Sequence, residues 1–191
     1  MRYYPALLDL KDRICCVIGG GVIAERKAKS LLSAGARVEV ISPCLTEGLS
    51  LFAKSASIAY RKDVYRKKYI RHAYLVIAAT SDTDVNYRVS ADAAALRIWV
   101  NVVDRPALSS FIVPAVLSKN GLIISISTSG KAPGLSKRIK KDLKDKVLSK
   151  YACALSIMAQ ERRRLKNKVK GFGARKKILA RLADKTLGSV K

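Results

Sequence analysis

Ile14-Cys15-Cys16-Val17-Ile18-Gly19-Gly20-Gly21-Val22-Ile23-Ala24 is an apolar strand that runs into three glycines and then into a helical segment. A turn built this way lets backbone approach a pyrophosphate and aims helix amide groups at its charge. Read as G-x-G-x-x-A, Gly19 permits the tight turn, Gly21 leaves room for a cofactor, and Ala24 lets the helix sit close on its strand. The same pattern also fits a glycine-rich turn with no ligand. The flanking sequence favours the binding reading: Ala24, Ala28, Leu31 and Leu32 recur at helical spacing, Gly35 closes the helix, and Arg37 to Ser42 reads as a second strand.

The rest of the first half continues the alternation. Leu45, Leu49 and Phe52 fit a short helix, and Ser57 to Tyr60 a brief strand. Tyr74-Leu75-Val76-Ile77-Ala78-Ala79 is the uninterrupted apolar run expected of a strand covered on both faces. Thr80-Ser81-Asp82 is a turn and helix cap, Asp84 to Leu96 a helix with Val85, Val89, Ala93 and Leu96 on one face, and Ile98 to Val103 another buried strand. Such alternation implies a Rossmann-like α/β fold with a parallel sheet over residues 1–113. Ligands of these sheets sit beyond the carboxyl ends of the strands, where Gly19–Gly21, Thr80–Asp82 and Asn101–Arg105 would meet.

From Phe111 the grammar changes. Two apolar runs flank Ser118-Lys119-Asn120-Gly121, a strong hairpin signal, and Leu135, Ile139, Leu143 and Val147 then line a basic helix. A small α+β extension over 114–150 is expected, serving homodimerisation because its exposed hairpin needs a cover. A helical, basic C-terminal region follows over 151–191, with one helix over 151–170, a break at Gly171-Phe172-Gly173 and a last helix from Ala174 to Leu187.

Composition narrows the function classes. The formal charge is +24, and it is densest in residues 161–191, which hold twelve Lys or Arg against two acidic residues. Such an excess attracts polyanions, but aromatic side chains are scarce around it and no reading module stands out, so nucleic acid is not the expected partner. No apolar run is long enough to span a bilayer, and Met1-Arg2-Tyr3-Tyr4-Pro5 lacks the layout of a signal peptide, so a cytoplasmic location without membrane association is expected. Cys15, Cys16, Cys44 and Cys153 show no C-x-x-C spacing and no companion histidine cluster, and the single histidine, His72, reads as a surface or packing residue. No metal site is therefore expected. Cys15 and Cys16 should point to opposite faces of the first strand.

In order along the chain, Tyr4-Pro5, Leu8-Asp9-Leu10, the Val17–Lys27 glycine turn, Gly35-Ala36-Arg37-Val38, Ile77-Ala78-Ala79-Thr80, Val100-Asn101-Val102-Val103-Asp104, Phe111-Ile112-Val113-Pro114-Ala115 and Ser127-Thr128-Ser129-Gly130-Lys131-Ala132-Pro133 resemble the siroheme synthase N-terminal region, the precorrin-2 dehydrogenase family. The resemblance covers about residues 1–150. It implies NAD-dependent oxidation of precorrin-2 to sirohydrochlorin, with Fe2+ as a second substrate in those members that also insert iron. The length suggests a stand-alone form without the fused methyltransferase domain.

The resemblance makes Asp104 the catalytic carboxylate, a base that takes a proton as hydride leaves; from pattern alone it is equally the first residue of an Asp-Arg-Pro turn. Cofactor contacts fall on Gly19, Gly20, Gly21, Val22, Ile23, Thr80, Asn101 and Val102. The second strand ends in Ile41-Ser42-Pro43-Cys44 without the acidic residue that commonly grips an NAD ribose, so Ser42, Pro43 and Cys44 inherit that place by resemblance. Arg105, Lys131 and Lys137 are candidates by position to clamp a polycarboxylate tetrapyrrole, and each also reads as solvated surface. Two other classes remain open: an NAD-binding redox regulator that holds nucleic acid through its basic tail, and a tetrapyrrole carrier without turnover.

Overall fold

The computed structural model describes residues 2–169 and 171–189. The chain divides into two compact units, Met1–Val113 and Pro114–Lys191, and the second takes in both the hairpin and the terminal helices.

In the first unit, five parallel strands are ordered β3-β2-β1-β4-β5: β1 Ile14–Ile18, β2 Arg37–Ile41, β3 Ile58–Arg61, β4 Leu75–Ala78 and β5 Trp99–Val102. Three helices connect them, α1 Val22–Ser33, α2 Glu47–Lys54 and α3 Thr83–Ala95. The strand order reverses between β1 and β4, which opens a crevice beyond their carboxyl ends. β4 is buried at every position, as its unbroken apolar run requires.

Successive strand residues face opposite sides. Cys15 and Val17 accordingly pack with Ala24, Ala28 and Leu31 of α1, whereas Cys16 and Ile18 pack with Val76, Val89 and Ala93 on the other face. Ala24 and Ala28 have no exposed surface, so the helix backbone lies against the sheet; a larger side chain at either position would push α1 away. The free edge of β5 is closed by hydroxyls: Val102 N–H donates to Ser109 Oγ at 2.9 Å and Val100 N–H to Ser110 Oγ at 2.8 Å.

In the second unit, β6 Ala115–Lys119 and β7 Leu122–Ile126 form an antiparallel hairpin. Asn120 (φ +50°) and Gly121 (φ +83°) both sit in the left-handed region that a two-residue I′ turn demands. Helix α4 Pro133–Leu143 passes through a π-helical turn, Lys144–Leu148, straight into α5 Ser149–Lys168. The two helices expected on either side of residue 150 are thus continuous, because the sequence there holds no glycine or proline to end the run. Helix α6 Phe172–Ser189 begins two residues before the expected Ala174. The break is carried by the extended Val169 and by Gly171 (φ +103°), while Gly173 is absorbed into the first turn.

Candidate functional site

The three glycines have three different jobs. Gly19 turns the chain at φ +120°, a conformation closed to other residues, and its N–H donates to the Ile41 carbonyl at 2.9 Å. Gly20 is wedged beneath the segment after β2: its carbonyl accepts from Thr46 N–H at 2.9 Å, and a Cβ there would collide with the Cys44 carbonyl and stand 2.7 Å from Ser42 Oγ. Gly21 has ordinary extended dihedrals and an open face, where a Cβ would meet no protein atom within 4 Å. It is also the N-cap of α1, and no side chain caps that helix. The first-turn N–H groups and the helix dipole are therefore open to water or to an anion.

These glycines line a cavity of about 740 Å³. One wall is Ser42, Pro43 and Cys44 beyond β2 with Asp63, Val64 and Tyr65 beyond β3; the other is Thr80, Ser81 and Asp82 beyond β4 with Val103 and Asp104 beyond β5. The Thr80–Asp82 turn is held by the buried Asn86, whose amide donates to the Thr80 carbonyl at 2.9 Å and whose Oδ1 lies 2.9 Å from the Thr80 hydroxyl. Asp82 then caps α3 by accepting from Asp84 N–H at 2.9 Å and Val85 N–H at 3.0 Å. Replacing Asn86 with Leu removes both anchors and leaves the Thr80 backbone unpaired, so a loss of about 1–3 kcal/mol in unfolding free energy is expected. Urea denaturation checks this.

Asp104 is exposed at the cavity wall with φ +58°, in the left-handed region that aspartate tolerates better than most residues. Burial of the Lys27 ammonium and the neighbouring Arg26 push the Lys27 pKa below the usual amine range, and the Asp104 charge pulls the other way. Asp63 is already engaged: the Tyr69 hydroxyl donates to its carboxylate, Arg66 lies 3.4 Å away, and these contacts hold its pKa below the ordinary value, the Tyr69 bond most of all. Tyr65 is pushed above the usual phenol range by burial and by donating to Asp92 Oδ2 at 2.9 Å.

The fold brings Gly19, Gly20, Gly21, Val22, Ile23, Ser42, Pro43, Cys44, Thr80 and Asp104 to one cavity. It does not bring Asn101 and Val102 there. Both are the last residues of β5, but their side chains are used elsewhere: Val102 is buried in the sheet's second core face, and the Asn101 amide donates to the Phe111 carbonyl at 3.0 Å. Arg105 lines a separate depression of about 270 Å³ with Thr83, Asp84 and Tyr87. Lys131 and Lys137 are exposed in the second unit, before and within α4. Sequence reasoning missed Asp63, Val64 and Tyr65, and the available signal was the strand order, since β3 beside β2 places the following loop at the same edge.

A parallel sheet with a glycine turn at its topological switch point and an uncapped helix behind it defines a dinucleotide-binding protein. The family model described as "Putative NAD(P)-binding" matches residues 6–115, and the chain belongs to that family. Among curated relatives, the siroheme synthase of Nitrosospira multiformis is 36% identical over 186 residues, covering 95% of this chain and 39% of the relative. That of Nitrosomonas europaea is 39% identical over 169 residues, covering 88% of this chain and 36% of the relative. The chain thus spans less than half the length of these relatives. Among solved structures, SirC, precorrin-2 dehydrogenase, matches over 98% of both chains with a TM-score of 0.80 at 23% identity, a likeness of fold.

Proposed function

We propose that this chain oxidises precorrin-2 to sirohydrochlorin with NAD as hydride acceptor. The observation that carries the reading is that the open face of Gly21 and the carboxylate of Asp104 line one cavity. The cavity fits the cofactor: a glycine cradle with no Cβ, an uncapped helix N-terminus for the diphosphate, and the small uncharged Ser42-Pro43-Cys44 wall beyond β2. With Asp63 also on that side, a 2′-phosphate would face a carboxylate, which supports NAD over NADP.

When bound, NAD supplies the hydride acceptor for a two-electron oxidation. Asp104 takes the proton that leaves the macrocycle as the hydride departs, and Lys27 offsets the carboxylate's charge before that transfer. The Thr80–Asp82 turn, fixed by Asn86, holds the opposite wall in place. Arg105, Lys131 and Lys137 are exposed cations suited to the substrate's carboxylates. The relatives carry the name siroheme synthase, which supports a substrate of the tetrapyrrole class. Incubation with enzymatically generated precorrin-2 and NAD is expected to yield NADH and sirohydrochlorin in equal amounts; sirohydrochlorin binding without NADH formation would mark a carrier instead.

The chain is also proposed to work as a homodimer through its hairpin. Val116, Ser118, Ile123 and Ser125 share one face of β6–β7, the face opposite Leu117 and Ile124, and its two apolar members are 39% and 48% exposed. Light scattering at micromolar concentration is expected to give twice the chain mass, and Ile123→Lys to give the single chain. A monomer throughout that range contradicts this arrangement.

A further inference from the structure

Away from the cavity, the sheet brings together three side chains that the dehydrogenase reading does not use. Cys16 on β1 and Glu39 on β2 are partners in the parallel register, so their side chains leave the same face side by side. His72, from the segment that leads into β4, reaches over both, with Nε2 3.0 Å from Glu39 Oε2. One ligand atom from each of the three lies within 4.8 Å of the others.

We propose that Cys16, Glu39 and His72 form a binding site for a single divalent cation of the zinc class. The donor set decides the class: thiolate, imidazole and carboxylate suit Zn2+ and its congener Co2+, whereas Mg2+ and Ca2+ take all-oxygen shells. Ligand atoms at about 2.0–2.3 Å from a tetrahedral centre stand roughly 3.3–3.8 Å apart. The three ligand atoms, all within 4.8 Å of one another, exceed that spacing by roughly 1 Å or less. Thiolate and carboxylate together would balance the cation's two charges in a chain that is otherwise strongly basic. Cys16 is buried, Glu39 half-buried and His72 exposed, so the protein supplies a three-ligand base and the exposed side leaves the fourth position to solvent.

Burial pushes the Cys16 pKa up to about 12, and its S–H donates to the Tyr69 carbonyl at 3.7 Å. Binding replaces the S–H bond with an S–metal bond, and the proton leaves to solvent. A bound ion would tie β1, β2 and the approach to β4 together. These are central strands of the sheet, and β1 runs directly into the glycine turn.

Co2+ titration of the chelator-treated full chain tests the site, in a Cys44→Ser/Cys153→Ser background that removes the two exposed thiols. One equivalent should bind, with thiolate-to-cobalt charge-transfer absorption in the near ultraviolet, and Zn2+ should displace it and raise Tm. His72→Gln and Glu39→Gln, the first on an exposed and the second on a half-buried side chain, should each weaken Co2+ binding at least about tenfold, while Cys16→Ser should abolish the charge-transfer band. Absence of the band, its survival in Cys16→Ser, or unchanged affinity in both His72→Gln and Glu39→Gln would overturn the proposal. Should Cys16→Ser fail to fold, the other two variants decide.

Discussion

Asp104→Asn should reduce turnover of precorrin-2 by about 10²- to 10⁴-fold, the span that loss of a positioned general base commonly costs. NAD affinity should stay within about threefold of wild type, because the proposed diphosphate contacts fall on the glycine turn and the start of α1 and not on the Asp104 side chain. Asparagine is the right replacement for a physical reason. Residue 104 sits at φ +58°, where asparagine is nearly as comfortable as aspartate, whereas alanine would add backbone strain to the loss of the carboxylate. Asn also keeps the side chain's shape and polarity, so the measured difference reports the proton acceptor. A variant with full rate would remove Asp104 from the chemistry and leave it as the first residue of a turn.

The second large effect separates two neighbouring glycines. Gly20→Ala drives a methyl group into the Cys44 carbonyl and against Ser42 Oγ at 2.7 Å; the first obstacle is backbone, so the β2–α2 segment must move. An overpacking cost of about 1–3 kcal/mol is expected, which at about 2–4 °C of Tm per kcal/mol is readily seen in a thermal melt. Gly21→Ala should leave Tm unchanged, since its φ is −83° and nothing among the described residues obstructs the methyl. It should nonetheless cost at least about tenfold in NAD affinity, as the methyl occupies the space that lets the diphosphate approach backbone. Loss of stability at position 20 with loss of binding at position 21 is the signature of a turn that is structural on one side and a cradle on the other.

Much of this site could be read from residues alone, because its central elements are local. Three glycines between an apolar run and a helical repeat specify a strand, a turn and a helix start without reference to the rest of the chain. The Asn120-Gly121 turn was equally legible, and so was the alternation that puts Cys15 and Cys16 on opposite core faces. What stayed hidden depends on strand order and register. Asp63, Val64 and Tyr65 join the wall only because β3 lies beside β2, and Asn101 and Val102 drop out because the first bonds the Phe111 carbonyl and the second packs into the core. Cys16, Glu39 and His72 are 23 and 33 residues apart, too far for a short ligand motif to be read, and only the β1–β2 pairing and the segment leading into β4 make them neighbours. The continuous α4–α5 helix was hidden for a different reason: a π-helical turn extends a helix without leaving a breaker to read.

The proposed dehydrogenase requires that the glycine turn cradle a pyridine dinucleotide beside Asp104. Isothermal titration calorimetry of NAD into the folded full chain, repeated with Gly21→Ala, tests it most directly. One saturable site for NAD is expected, weakened at least about tenfold by the substitution. Absence of measurable binding of either NAD or NADP to folded protein, or equal affinity in the Gly21→Ala variant, would contradict it.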